Sequence, residues 1–388
     1  MIVMGMISGT SYDGIDCAVG EFDLTDGLIT LRPIFTTTEP YSRYLYGLID
    51  SSMPPSLIDF QRVCEIDTLV GEAFADAAIN TLQKVNIEAD LVVSHGQTLY
   101  HWVTPSGQAL GTLQLGDGAR IAEKTGITTI TQLRSRDVAA GGQGAPFASL
   151  LDDFLLRDRG PVNAALNLGG ISNITVVSDT APTIAFDIGP ANALIDAAVR
   201  IYSEGRENYD PAGKYGAAGE VDQHLLESML DEPYFKMKFP KSTGKELFNK
   251  EYLVTKLREF PDISMLNVIS TLTALTASTV TSEISRLGVE SIYVSGGGIH
   301  NQTLMRMMRE FSPKVKFNPY EELGLSADGK EAYLFALIGF LSVNNMPGNI
   351  PSSTGALDSR VLGSMWPGLE GFPEIISSGI TSPTLRII

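Results

Sequence analysis

Residues 5–16, GMISGTSYDGID, stand between two short apolar runs, MIVM before and CAV after. Both flanks read as strand, and the Gly, Ser, Thr and Asp between them are residues that turns are built from. The next apolar run, LITLRPIF (28–35), extends the pattern, so 1–35 is expected to be a three-stranded meander that opens a sheet. A strand, a glycine-rich turn and a second strand recur in NAALNLGGISNITVV (163–177), alike in plan though not in letters.

Helices and strands alternate along the rest of the chain. Val63, Ile66, Val70, Phe74 and Ala77 make a helical stripe. ADLVVSHGQT (89–98) reads as a buried strand ending in a polar loop at Ser94, His95, Gly96 and Gln97. TIAFDIGPANALIDAAVRIY (183–202) gives strand, turn and helix, with Pro190 in the first helical turn. A long, weakly charged helix is expected over 263–287, strand, triple glycine and helix over 291–311, and a fully buried helix over 327–343. The alternation argues an α/β protein.

A chain of 388 residues suggests about two domains. The texture changes at QLRSRDVAAGGQGAPF (132–147), a long glycine-rich connection, and the boundary is placed just before it. Domain I is then 1–130, with 351–388 returning to it, and domain II is 131–350. A net charge of −17 argues against nucleic acid and anionic membrane as partners. Cys17 and Cys64 both lie in apolar-rich segments and are expected to be buried thiols. There is no basic leader with a long apolar stretch, and the longest apolar run, AYLFALIGFLSV (332–343), is too short to span a bilayer. A soluble, cytoplasmic protein is the expectation.

Three strand-terminal glycine loops, at 8–14, 169–173 and 296–298, can bring backbone N–H groups close to an anion. Their number suggests one polyphosphate ligand. The P-loop pattern is absent, and no G-x-G-x-x-G follows an expected strand, which disfavours a dinucleotide-binding dehydrogenase.

Taken in order, GMISGTSYDGID, SHGQT, RSRDVAAGGQGAP, LNLGGISNI, FDIGPAN, FPKSTGKE and SGGGIHN resemble the anhydro-N-acetylmuramic acid kinase family, over nearly the whole chain. The resemblance implies a two-domain actin-like ATPase (ribonuclease H-like) α/β fold with mixed sheets and an interdomain cleft for ATP and sugar. It implies a kinase that uses ATP, Mg²⁺ and water to open the bridge of 1,6-anhydro-N-acetylmuramic acid, giving N-acetylmuramic acid 6-phosphate in peptidoglycan recycling, and it implies a homodimer. By resemblance the ATP phosphates meet Gly9, Thr10, Ser11, Tyr12, Asp13, Gly14, Ile15 and Asp16, then Gly169, Gly170, Ser172 and Asn173. The adenosine side falls to Gly296, Gly297, Gly298 and Asn301.

Asp187 of FDIGPAN is the expected general base, although an Asp before a helix also suits a cap. Glu331 and Arg134 resemble sugar-contacting residues, Arg134 through a fork suited to a carboxylate, and Gln97 and Thr98 are further candidates. Ser8 and Asn167 stand where many relatives in the wider fold group have Asp, so the metal ligands stay open, with Asp13 and Asp16 as candidates. Gln132 and Ala191 also depart from the usual family letters. Two alternatives remain: a levoglucosan-type anhydrosugar kinase, in which Arg134 would be dispensable, and a non-catalytic ATP-gated binding module.

Overall fold

Strands β1 (Ile2–Ser8), β2 (Ile15–Thr25) and β3 (Leu28–Glu39) form the antiparallel meander expected of the opening segment. The structure, a computed structural model, describes every residue except 10, 11, 105, 240, 245, 374–378, 381 and 382. Strand β4 (Leu91–Val103) lies parallel to β1, β5 (Ala109–Leu115) folds back antiparallel on β4, and β6 (Thr129–Thr131) runs parallel to β4. The sheet order β3-β2-β1-β4-β6 is extended at its edges by the C-terminal strands Ser364–Trp366, on β6, and Thr384–Ile387, on β3.

One face of this sheet is covered by the helix Phe60–Val85, capped by Asp59, whose side chain accepts from Arg62 N, and stopped by Asn86 in the left-handed region. Its Ile66, Val70, Phe74 and Ala77 join Met4, Met6, Cys17 and Val19 in one core cluster. The helix Lys330–Val343 is buried along almost its whole length. A Cβ on Gly5 would run into the Ala332 carbonyl, and one on Gly339 into the Val93 side chain, so two glycines allow this helix to lie directly on β1 and β4.

A second sheet is built from β7 (Val162–Leu168), β8 (Ile171–Ser178), β9 (Ile184–Pro190), β10 (Ser291–Ser295) and β11 (Lys316–Pro319). Its order is β9-β8-β7-β10-β11. The first three are an antiparallel meander, and β10 and β11 follow in parallel. Each sheet therefore has the order 3-2-1-4-5 with the same strand directions, the repeat expected of a ribonuclease H-like, actin-like α/β fold. The core helix of this unit, Met265–Arg286, buries several threonines. Their hydroxyls donate back to helix carbonyls, as Thr271 to Asn267 O (2.7 Å) and Thr273 to Ile269 O (2.8 Å).

The chain divides into two compact units, Met1–Leu155 with Leu323–Ile388, and Leu156–Glu322. This corrects the expected division at 130/131 and 350/351. Residues 131–155 and 323–350 belong to the first unit, because the Lys330–Val343 helix supplies its core and Asp137 bonds to Asn349 and Thr354. Three local expectations also change. Ser94, His95, Gly96 and Gln97 lie within β4 rather than in a loop. Pro190 closes β9, and the following helix begins at Asn192. Cys17 is buried, its thiol pushed up to about 12 by desolvation, whereas Cys64 is exposed. Among the described residues no helix is long and apolar enough to cross a membrane.

Candidate active site

In the first unit, the turn from β1 to β2 closes on itself. Ser8 Oγ donates to Gly14 O (2.8 Å) and Tyr12 N donates to Gly9 O (3.1 Å). Ser8 thus spends its hydroxyl on the turn. Thr10 and Ser11 lie outside the described residues. Tyr12 adopts φ +42° and is tied away from the turn, its hydroxyl donating to Asp50 Oδ1 (2.9 Å) and its ring against Tyr46. Asp13 is exposed at the tip. Asp16 is half-buried and accepts from Thr38 Oγ1 (2.6 Å). Desolvation raises its pKa, against the Thr38 hydrogen bond and with Asp13 and Asp328 adding to the effect. The Ile15 side chain is buried in the core, and its backbone pairs with Glu39.

Beside this turn, Gln97 Nε2 donates to Gly9 O (3.3 Å) and Thr98 O (3.1 Å), while its buried Oε1 has no partner among the described residues. Thr98 Oγ1 accepts from Gln114 Nε2 (3.3 Å). Arg134 donates from Nε to His95 Nε2 (2.6 Å) and from Nη1 to Gly144 O, and its guanidinium lies over the Phe147 ring. One side of its fork is therefore occupied, so among the described residues only Nη2 stays uncommitted for a carboxylate. Desolvation pulls this guanidinium down to about 10, with Glu331 and Asp137 opposing.

His95 accepts at Nε2, so its proton sits on Nδ1, which donates to Gly96 O (3.0 Å). Burial and then the Arg134 charge hold its pKa well below the ordinary range, and it is neutral. Glu331 is exposed in the first turn of the Lys330–Val343 helix. The glycine-rich 140–144 segment is organised by Asp137, which accepts from Gly144 N (2.8 Å), Asn349 Nδ2 (2.7 Å) and Thr354 Oγ1 (2.8 Å).

In the second unit, Asp187 sits within β9, with a half-buried side chain. Its Oδ2 accepts from Ser242 Oγ (2.8 Å) and Thr243 N (3.0 Å), and its Oδ1 has no partner among the described residues. Its backbone is fixed by Tyr234 OH donating to its carbonyl (2.7 Å) and by its own N–H donating to Lys241 O (3.2 Å). Desolvation raises its pKa, against the Thr243 and Ser242 hydrogen bonds and with help from Glu246. It is not a helix cap.

The glycine turns of this unit lie together. Asn192 donates from Nδ2 to Leu168 O and Gly169 O (both 2.9 Å), and Ala191 N donates to Gly170 O (2.9 Å). Ser172 spends its hydroxyl on Gly189 O (3.0 Å), and Asn173 pairs with Asp187 across β8 and β9. Gly296, at φ +82°, and Gly298 pack against Asn167 and Leu168 so closely that a Cβ on either would clash, whereas Gly297 has open space around it. Asn301 is buried, and its Oδ1 caps the helix Gln302–Phe311 by accepting from Leu304 N (3.0 Å).

Sequence reasoning gave no role to His95, Asp137, Asn192, Ser242 or Thr243. All five sit in quoted motifs, His95 in SHGQT, Asp137 in RSRDVAAGGQGAP and the other three in FDIGPAN and FPKSTGKE, which were the available signal. Among the described residues no group of three or more His, Cys, Asp or Glu could hold a metal ion.

The family model described as anhydro-N-acetylmuramic acid kinase matches residues 1–368. The chain belongs to this family. Proteins named anhydro-N-acetylmuramic acid kinase include one from Rhodococcus erythropolis, 45% identical over 100% of this chain and 99% of its own. One from Streptomyces coelicolor is 46% identical with the same coverage. One from Photobacterium profundum is 38% identical over 94% of this chain and 98% of its own. The family thus holds along the full length, and the motif set read from the sequence spans the matched region.

Proposed function

We propose that the chain is an ATP-dependent anhydro-N-acetylmuramic acid kinase, which opens the 1,6-anhydro bridge with water and phosphorylates O6. The supporting observation is the state of Asp187. Two donors hold Oδ2 in place, Oδ1 is left open, and burial raises the carboxyl toward the basicity a general base needs. Oδ1 takes a proton from the water whose oxygen bonds to the anomeric carbon. The C1–O6 bond breaks, O6 attacks the γ-phosphorus, and ADP leaves. The proton on Asp187 passes to solvent, so the products are N-acetylmuramic acid 6-phosphate, ADP and one proton.

Backbone N–H groups of the 9–16, 169–173 and 296–298 turns serve the nucleotide, and Gln97, Thr98, Glu331 and the Nη2 of Arg134 serve the sugar. The orphaned Gln97 Oε1 suits a sugar hydroxyl. Mg²⁺ fits the donors present: Asp16 is fixed by Thr38 through one oxygen only, and Asp13 is near in sequence. A cation bound through one or two carboxylates, with phosphate oxygens and waters, matches the habit of Mg²⁺. Bound there, it would neutralise charge on the transferring phosphates. A homodimer completes the reading.

The test is sugar-dependent ADP release in ¹⁸O-water, with 1,6-anhydro-N-acetylmuramic acid and levoglucosan, for the native chain and Asp187→Asn. Label in the sugar product that disappears with Asp187→Asn is expected. No sugar-dependent ADP from either compound refutes the proposal in favour of a binding module, and preference for levoglucosan refutes the substrate assignment.

A further inference from the structure

Lys241 of FPKSTGKE is a buried lysine to which the steps proposed above give no part. Its side chain is only 2% exposed. Nζ lies 3.5 Å from Glu283 Oε1, over the Tyr234 ring at 4.9 Å and over the Phe186 ring at 5.8 Å. Burying an ammonium is costly unless partners replace its water, and here one carboxylate and two ring faces do so. Arg286 in turn holds the other oxygen of Glu283, Nε to Oε2 at 2.7 Å.

Several neighbours of this ammonium bear on Asp187. Phe186 precedes it in β9. Tyr234 donates to its carbonyl, and Lys241 O accepts from its N–H. The two residues after Lys241, Ser242 and Thr243, supply both donors to Oδ2. The ammonium thus joins β9, the turn Pro233–Lys236 and the helix Met265–Arg286 at one point, and the segment that clamps the carboxylate leads away from that point.

We infer that Lys241 is a positioning residue for Asp187: its buried charge anchors the 241–243 segment so that Ser242 and Thr243 load Oδ2 and leave Oδ1 as the base. The inference rests on the proposed role of Asp187. Among the described residues, the charged or titratable groups around the carboxylate and its anchor are Tyr234, Glu246, Lys241, Glu283 and Arg286. The two Oδ2 hydrogen bonds favour the ionised carboxylate, so loosening them raises its pKa. A base must be deprotonated, so the acidic limb of the pH–rate profile then moves to higher pH.

The experiment is the pH profile of kcat for sugar-dependent ADP release, with KM for the sugar, in Lys241→Met, Lys241→Arg, Glu283→Gln and Ser242→Ala. For Lys241→Met the expected result is a kcat lower by about 10- to 100-fold, a KM within about twofold, and an acidic limb raised by about one pH unit. Lys241→Arg restores the limb, Ser242→Ala raises it, and Glu283→Gln shifts it in the same direction by less. An acidic limb at its native position in Lys241→Met overturns the inference. Should that variant not fold, an unmoved limb in Glu283→Gln overturns it. Asp187→Asn that keeps its turnover overturns the role of Asp187 itself, a separate and visible failure.

Discussion

Replacing Asp137 with Ala removes the acceptor on which the 140–144 segment depends. The carboxylate is completely buried and takes three hydrogen bonds, from Gly144 N at 2.8 Å, Asn349 Nδ2 at 2.7 Å and Thr354 Oγ1 at 2.8 Å. A hydrogen bond to a charged acceptor contributes about 1.5–3 kcal/mol net, so three sum to at least ~4.5 kcal/mol. Water entering the vacated space offsets part of this, which leaves an expected loss of about 3–5 kcal/mol. Asp137→Asn keeps one oxygen for Asn349 and Thr354 but turns an NH₂ toward Gly144 N–H, and is expected to cost about 2 kcal/mol.

Both tryptophans, Trp102 and Trp366, belong to the first unit, so urea unfolding followed by tryptophan fluorescence reports on that unit alone. Trp366 Nε1 donates to Thr131 Oγ1 at 3.0 Å and is well placed as the probe. A loss below about 1 kcal/mol for Asp137→Ala would refute the reasoning that this carboxylate carries the segment. A functional effect should accompany the loss, because Gly144 O also anchors Arg134: KM for the anhydrosugar should rise while KM for ATP holds.

His95 is held neutral in the fold, its pKa below the unfolded value near 6.5. Its contribution to stability is therefore complete above about pH 6.5 and declines as pH falls, by up to about 1.4 kcal/mol per pH unit, and urea midpoints for the native chain and His95→Gln should converge between pH 7 and 5. A maleimide added to the folded chain should label Cys64 and leave Cys17, mass spectrometry showing one adduct until denaturant is added. Gly296→Ala forces a Cβ against Asn167 and Leu168 at φ +82°. It should cost about 1–3 kcal/mol and raise KM for ATP with little change in sugar KM, measured by coupled ADP release.

The opening meander was legible because its apolar runs are short and its turns are rich in Gly and Asp. The helix Phe60–Val85 was legible because its stripe keeps a helical period. Two kinds of information were not. Residues 332–343 are apolar on nearly every side, which marks a buried helix without saying which strands it covers; the glycines at 5 and 339 carry that pairing, and they are far apart in sequence. Side-chain acceptors that organise loops were hidden as well. Asp137 looks like any polar residue of a Gly-rich stretch until its donors at 349 and 354 are seen, and Asn301 shows its capping bond only once the helix after it is seen. Asp187 was found through its motif, while its clamp depends on a contact across more than fifty residues of chain.

The way the chain leaves the first unit at Leu155 and rejoins it at Leu323 sets an order of assembly during synthesis. Every strand and helix of the second unit lies in one continuous stretch, and that unit has its full complement once residue 322 has emerged. The first unit cannot reach that point. Its first strand is made at once, but the helix that lies on Gly5 is made only after the whole second unit, roughly 20–70 s later at about 5–20 residues per second. Through that interval the face of β1 bearing Gly5 has no helix to cover it. A nascent chain arrested when residue 322 has just emerged from the ribosome should therefore protect the second unit from protease while leaving the first open to cleavage.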